Sequence, residues 1–123
     1  FSDMLYTDKQ VENYTDDAFL AHEQKMMNKY GSEAKQSAES YVSLSSYVNS
    51  KKKYKSAIII LKRAVEAYDF DIFLKFNLAK AYEKDKNIPK AIATFKAAIE
   101  TSKKHKFGFE DRLQKEIDKL EKG

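Results

Sequence analysis

The sequence contains no cysteine and no tryptophan, and it has only one proline and three glycines among 123 residues. The lack of cysteine excludes disulfide bonds and thiolate metal sites. An all-β protein needs many Gly- and Pro-containing turns, whereas the abundant Ala, Lys, Glu and Leu favour helices. The longest apolar run, Ala57 to Leu61, is far shorter than the roughly 18 residues of a membrane span. These absences predict a single all-α domain with one modest core.

Neither sign of charge dominates, because the sequence has 23 basic and 19 acidic residues and a net charge of +4. The two signs alternate at helical spacing, which is typical of a solvated helical surface. The cluster Lys51 to Lys55 (KKKYK) could hold phosphates, but nucleic-acid binders usually present more positive charge on one face. We therefore favour a polar turn between two helices at this cluster.

A repeat becomes visible when the chain is shifted by 34 residues. Nine pairs of positions then match in size class: Leu44 and Leu78, Ser45 and Ala79, Val48 and Tyr82, Tyr54 and Ile88, Ala57 and Ala91, Ile58 and Ile92, Leu61 and Phe95, Ala64 and Ala98, Val65 and Ile99. Each copy reads as helix, short polar turn and helix, with small residues where two antiparallel helices must approach closely. Two unrelated helical hairpins with coincident spacing are the alternative.

The second copy, LAKAY followed by NIPKAIATFKAAIE, resembles the tetratricopeptide repeat, and LSSYV followed by KKYKSAIIILKRAVE is a degenerate first copy. The resemblance implies helical hairpins stacked as a short right-handed superhelix, with repeats at about 38–71 and 72–105. Some positions depart from the family pattern. Tyr41 stands where Trp is usual, Lys75 replaces a large residue, and Lys52 and Lys86 stand where Gly is frequent.

Periodicity predicts six helices, at residues 16–30, 34–49, 54–68, 71–84, 88–103 and 110–122. Thr15 is expected to cap the first helix, Tyr14 to pack on Phe19, and Gly31 to end that helix in the left-handed conformation. Residues 110–122 are expected to form a capping helix through Leu113, Ile117 and Leu120. Residues 1–14 show no periodicity and are interpreted as a linker or arm, which leaves 15–123 as the domain.

No catalytic motif is found, and we expect no catalytic residue, cofactor or metal site in this chain. His22 and His105 are interpreted as packing or solvated surface residues. The acidic pairs at 16–17 and 110–111 lie at helix starts, where capping and the helix dipole explain them.

The predicted binding surface is the concave face formed by the first helix of each repeat. Its lining residues are Val42, Ser46, Asn49, Phe73, Phe76, Lys80 and Glu83. Phe73 and Phe76 either line an apolar groove for a peptide or neighbouring domain, or pack on the first helix through Met26 or Met27. A carboxylate clamp for a partner's C-terminus is disfavoured, because Val42, Ser46 and Phe73 occupy positions where that charged set is expected.

The stretch TDDAFLAHEQKMMNKYG followed by helical repeats resembles the C-terminal extension of bacterial esterases of the enterochelin-esterase-like group. This resemblance implies a preceding α/β-hydrolase domain that holds the catalytic residues, and a periplasmic or secreted parent protein. The chain begins with Phe, so we expect a piece of a longer protein. The predicted function is a non-catalytic accessory or protein-interaction module. The alternatives are a free-standing adaptor that binds a peptide in its groove and, ranked third, a nucleic-acid binder.

Overall fold

The computed structural model describes residues 5–123 and is built from α-helices, with no β-strand in that range. The helices are α1 (Asp8–Glu12), α2 (Asp16–Tyr30), α3 (Ala38–Ser50), α4 (Tyr54–Ala67), α5 (Ile72–Lys84), α6 (Ile88–His105) and α7 (Glu110–Lys122). A short 3-10 turn at Gly31–Glu33 follows α2. The all-α prediction is confirmed, and the six predicted helices correspond to α2 to α7.

Helix α2 begins as the sequence predicts. The Thr15 hydroxyl accepts a hydrogen bond from the Ala18 N–H (3.1 Å), and the Tyr14 and Phe19 rings lie 6.0 Å apart. The end of α2 differs from the prediction. Gly31 has the expected positive φ of 67°, but its ψ of −140° lies outside the left-handed helical region.

Two features near the N-terminus differ in detail from the sequence prediction. Part of the expected arm is helical, because Thr7 and Gln10 form a capping box that starts α1, while a helix of five residues is too short to show periodicity. Tyr6 and Val11 pack against the core, so this part of the arm is not free. Residues 1–4 of the predicted arm lie outside the described range. Helix α3 begins at Ala38 rather than at 34, because Ser37 caps it.

From α3 to α7, each helix packs against the next helix along the chain. The connecting turns are short, so neighbouring helices run in roughly opposite directions. One apolar cluster lies among α2 to α5 and includes Ala91 of α6, and a second is formed by α5, α6 and α7 around Phe95. Leu113 and Ile117 of α7 are buried in the second cluster, and half-buried Leu120 touches both. The predicted apolar stripe of α7 therefore covers the C-terminal side of the core.

The turns after α3 and α5 show the 34-residue repeat in their backbone. In the turn after α3, the Lys52 N–H donates to the Asn49 carbonyl and the Lys53 N–H donates to the Val48 carbonyl. The turn after α5 has the same two hydrogen bonds, 34 residues later in the sequence. Lys52 and Lys86 have φ of 61° and 64°, so they take the left-handed conformation that usually requires glycine. The two lysines thus share one turn geometry with a positive φ.

Burial follows the same period. Three pairs of small residues that match in the repeat are fully or almost fully buried: Ser45 and Ala79, Ala57 and Ala91, Ala64 and Ala98. The matched pair of bulky residues, Leu61 and Phe95, is buried as well. Small side chains at these points allow the paired helices to approach closely, and Leu61 and Phe95 fill the space beside them.

Candidate functional site

Six of the seven predicted groove residues are divided between two depressions on the surface. Val42, Ser46, Asn49 and Lys80 line a depression between α3 and α5, with a volume of about 200 Å³. We call it the polar depression, because Ser45, Asn77 and Lys84 complete much of its lining. The buried Oδ1 atom of Asn49 has no hydrogen-bond partner among the described residues. An amide carbonyl in this position can accept a hydrogen bond from a ligand or a water molecule.

Phe73 and Phe76 line a second depression, between α5 and α7, with a volume of about 330 Å³. We call it the apolar depression. Its other lining residues are Ile72, Phe109, Arg112, Leu113 and Glu116. The Phe73 and Phe109 rings meet edge to face at 5.8 Å. The sequence predicted α7 only as a cap, so the contributions of Phe109, Arg112 and Glu116 were missed.

The alternative location proposed for the two phenylalanines, against Met26 or Met27, is wrong. Phe73 is 64% exposed, and half-buried Phe76 contacts the Phe95 ring edge to face at 5.7 Å. Met26 belongs to a separate small cluster with Ala34 and Tyr30. Phe73 is therefore a surface residue, whereas Phe76 is shared between the apolar depression and the core.

Lys80 stands between the two depressions. Its Nζ lies 3.1 Å from Glu116 Oε2 on α7 and 3.4 Å from Glu83 Oε2 on α5. Partial burial lowers the pKa of Lys80, but the two carboxylates outweigh it and the pKa is raised overall. Glu83, also predicted to line the groove, lines neither depression and acts through this ion pair. The Lys80 side chain thus ties α5 to α7 where a continuous concave groove was expected.

A buried polar network lies on the other side of the molecule, where the sequence analysis found no site. Glu23 on α2 is only 4% exposed, and its carboxylate accepts hydrogen bonds from the hydroxyls of Tyr6 (2.8 Å) and Tyr41 (2.5 Å). The Arg63 Nε–H on α4 donates to the same carboxylate at 2.9 Å, and the guanidinium also donates to the Ala34 carbonyl. We call these groups the Glu23 network. It links α2, α3, α4 and the segment before α1.

The segment between α2 and α3 is held by Tyr41 and by a further tyrosine, Tyr68. The Tyr41 hydroxyl accepts from the Gln36 N–H at 3.1 Å, and the Tyr68 hydroxyl donates to the Gln36 carbonyl at 2.7 Å. Burial, followed by the Glu23 carboxylate, raises the pKa of the Tyr6 and Tyr41 hydroxyls far above the ordinary value. Tyr41, which stands where the family pattern has Trp, therefore supplies a hydroxyl that indole lacks. The Glu, Tyr and Arg residues of this network are far apart in the sequence and form no motif, so the sequence analysis could not detect the network.

The two histidines lie in different surroundings. His22 is half-buried with its ring 4.8 Å from that of Tyr6, beside a depression of about 320 Å³ that Tyr14 and Phe19 also line. His105 is exposed and stacks on Phe107 at 5.3 Å. Over residues 5–123, no three His, Asp or Glu side chains are grouped to hold a metal ion. No helix in the same range is both long and apolar enough to cross a membrane.

Comparison with known proteins adds no relative: no protein-family model, no curated protein and no solved structure matches this chain.

Proposed function

We propose that this domain is a non-catalytic protein-interaction module that holds an apolar side chain of its partner in the depression between α5 and α7. The single observation that carries this proposal is Phe73, which is 64% exposed at the edge of a depression of about 330 Å³. Burying a Phe side chain contributes about 1.5–3 kcal/mol to folding, and this residue forgoes most of that contribution. An aromatic residue left in water beside an apolar depression is typical of a binding surface.

We also propose that the hairpins α3–α4 and α5–α6 stack as a short right-handed superhelix of the tetratricopeptide type, with α7 as its cap. Support comes from the two turns with identical backbone bonding 34 residues apart and from the matched burial of Ala57 with Ala91 and Ala64 with Ala98. In such a stack α3, α5 and α7 share one face. Both depressions are formed between helices of this set.

The partner implied by the esterase resemblance is a catalytic hydrolase domain in the same protein, and a free peptide is the alternative partner. Both partners would place an aliphatic or aromatic side chain against Phe73. The exposed Arg112 at the rim adds a cation that can pair with a carboxylate of the partner.

The experiment is a selection of random displayed peptides of about 12 residues on the 123-residue chain. We expect the enriched peptides to share one large apolar residue, since a central apolar anchor carries most of the binding energy in such sites. Phe73→Ala is expected to weaken their binding by about tenfold or more, while the free energy of unfolding changes by less than about 0.5 kcal/mol.

Leu20→Ala is the matched control, because Leu20 is 50% exposed on α2, away from both depressions. Binding that survives Phe73→Ala, or that falls equally in Leu20→Ala, would contradict the proposed site. A failure to enrich any peptide, followed by tight binding of a separately expressed hydrolase domain encoded upstream, would retain the site and select the esterase arrangement. Absence of both kinds of partner would overturn the proposal.

A further inference from the structure

The turns after α3 and α5 lie side by side at one end of the helices. Lys55 Nζ is 3.0 Å from Asp85 Oδ2, although the two residues are 30 positions apart in the sequence. This contact brings together exposed lysines from both turns, which we call the lysine edge: Lys51, Lys52, Lys53, Lys55, Lys84, Lys86 and Lys90. The sequence analysis considered only the first of these two groups, as a polar turn.

Few acidic groups offset this charge. Asp85 pairs with Lys55, and Glu12 lines a shallow depression together with Lys51 and Lys53. Seven lysines and these two carboxylates leave five positive charges in excess. The excess exceeds the net charge of the whole chain, +4, so the lysine edge concentrates the positive charge of the molecule.

Several of these lysines occupy positions where lysine does not stabilise the local backbone structure. Lys52 and Lys86 have a positive φ, where a residue with a Cβ atom is less stable than in the right-handed region. Lys55 and Lys90 lie in the first turns of α4 and α6, which contain no acidic residue, and the helix dipole disfavours a cation there. By contrast, α2, α3 and α7 each begin with acidic residues. Only Lys51 and Lys84, at the C-terminal ends of α3 and α5, lie where the dipole favours them.

The chemistry around the edge distinguishes among anionic partners. A membrane surface usually receives apolar side chains as well as cations, but the exposed large apolar residues of the described chain lie outside the edge. Single-stranded nucleic acid stacks its bases on open aromatic faces. The nearby rings of Tyr47 and Tyr82 are covered by Lys51 and Lys90, whose Nζ atoms lie 5.6 and 5.8 Å from the ring centres.

We propose that the lysine edge binds an acidic polypeptide segment rich in Asp and Glu. Separate ammonium groups on flexible side chains match carboxylates that are spaced along an extended chain, and the excess charge increases the rate of encounter. The edge lies at the opposite end of α5 from Phe73, about 16 Å away along the helix at 1.5 Å per residue. The two surfaces can therefore be occupied at once, and each can be tested without the other.

The test measures binding of a fluorescent oligo-glutamate peptide of about ten residues to the 123-residue chain at about 50 mM salt. The edge variant combines Lys52→Gly, Lys86→Gly, Lys53→Gln and Lys90→Gln. The control variant removes the same charge elsewhere through Lys25→Gln, Lys96→Gln, Lys104→Gln and Lys115→Gln, all at exposed positions. We expect the edge variant to raise Kd by about tenfold or more and the control to raise it by less than about threefold.

Backbone amide chemical-shift mapping on the unmodified chain supplies a second readout that does not depend on any variant. Shifts confined to residues 51–55 and 84–90 would support the proposal, and shifts centred on Phe73 and Phe109 would contradict it. Equal weakening in both variants, no binding at low salt, or tighter binding of a DNA oligonucleotide or phosphatidylserine vesicles than of the peptide would overturn it. Phe73→Ala should leave peptide binding unchanged, so this result is independent of the apolar depression.

Discussion

The two halves of the molecule are held together by different chemistry. Around α2 and α3, the buried groups include the Glu23 carboxylate and the backbone of Gln36, joined by the hydroxyls of Tyr6, Tyr41 and Tyr68. Around α6 and α7, the buried groups are mainly apolar, with Phe95, Leu113 and Ile117 in one cluster. Apolar packing holds both halves together, and the first half adds buried, directional hydrogen bonds that converge on one carboxylate.

The second half also contains buried polar groups, but they serve the ends of helices. The Ser102 hydroxyl accepts from the Phe109 N–H at 2.9 Å, which fixes the turn before α7. Lys75 donates to the Thr101 hydroxyl at 2.9 Å and to the Asp69 carbonyl, and its burial lowers its pKa. The Ser102 contact fastens one turn, and the contacts of Lys75 join the start of α5 to the preceding turn and to the end of α6. The Glu23 network instead joins three helices and the N-terminal segment at one carboxylate, so we expect its loss to be felt across the whole first half.

The largest expected effect comes from Glu23→Gln. The change leaves the Arg63 guanidinium partly buried without its counter-charge, and breaking a buried ion pair in this way costs about 3–5 kcal/mol. Urea unfolding followed by circular dichroism measures this loss. Glu39→Gln, at an exposed position of α3, is the control and should change stability by less than about 0.5 kcal/mol. If Glu23→Gln lowers the free energy of unfolding by no more than the control does, the Glu23 network does not stabilise the first half and the proposed difference between the halves is wrong.

Alkaline pH should weaken the first half selectively. Burial raises the pKa of Tyr6, Tyr14 and Tyr41 in the folded protein, so these hydroxyls stay protonated when the unfolded chain begins to ionise near pH 10. Their stabilising contribution is complete below that pH. It falls as pH rises further, by about 1.4 kcal/mol per pH unit for each such tyrosine. Urea unfolding at a series of pH values between about 8 and 11 measures the slope.

Tyr41→Phe tests the origin of this pH dependence, since the variant keeps the ring and removes the ionisable hydroxyl. The slope of stability against pH above about 10 should become shallower by one proton equivalent. An unchanged slope would show that ionisation of Tyr41 does not contribute to the pH dependence.

The smallest effect should be a gain in stability. Lys86→Gly removes the Cβ atom from a left-handed position and is expected to stabilise the protein by about 0.5–1 kcal/mol, and Lys52→Gly by a similar amount. Thermal unfolding measures the change. Lys96→Gly, in the exposed interior of α6, provides the opposite control and should destabilise by about 1 kcal/mol. Equal gains in the two turns would show that both halves share one turn geometry despite their different cores, and a loss in either would contradict it.

Local signals account for the parts of the fold that were predicted correctly. The period of the apolar residues correctly predicted α2 and α4 to α7. The capping residue Thr15 correctly predicted where α2 begins. The apolar stripe of Leu113 and Ile117 identified α7 as the helix that covers the second cluster. The start of α3 was missed, because residues 34–37 continue a helix-like composition. There the chain is held open by the hydrogen bonds of Tyr41 and Tyr68 with Gln36, and the second of these bonds joins residues 32 positions apart.

The candidate site was predicted less completely. Its residues on α3 and α5 were identified from the repeat, but their division into two depressions depends on Glu116 of α7 reaching Lys80. A side-chain contact across 36 positions leaves no periodic trace in the sequence.

The sequence by itself determined the helical class, the order and approximate ends of α2 to α7, and the 34-residue repeat, because caps and apolar periods act within a few residues. Only the tertiary structure decided which polar groups are buried around Glu23, that Phe73 faces water, and that lysines from two separate turns form one edge. Those outcomes depend on which helix surfaces meet, and that is set by the packing of the whole chain.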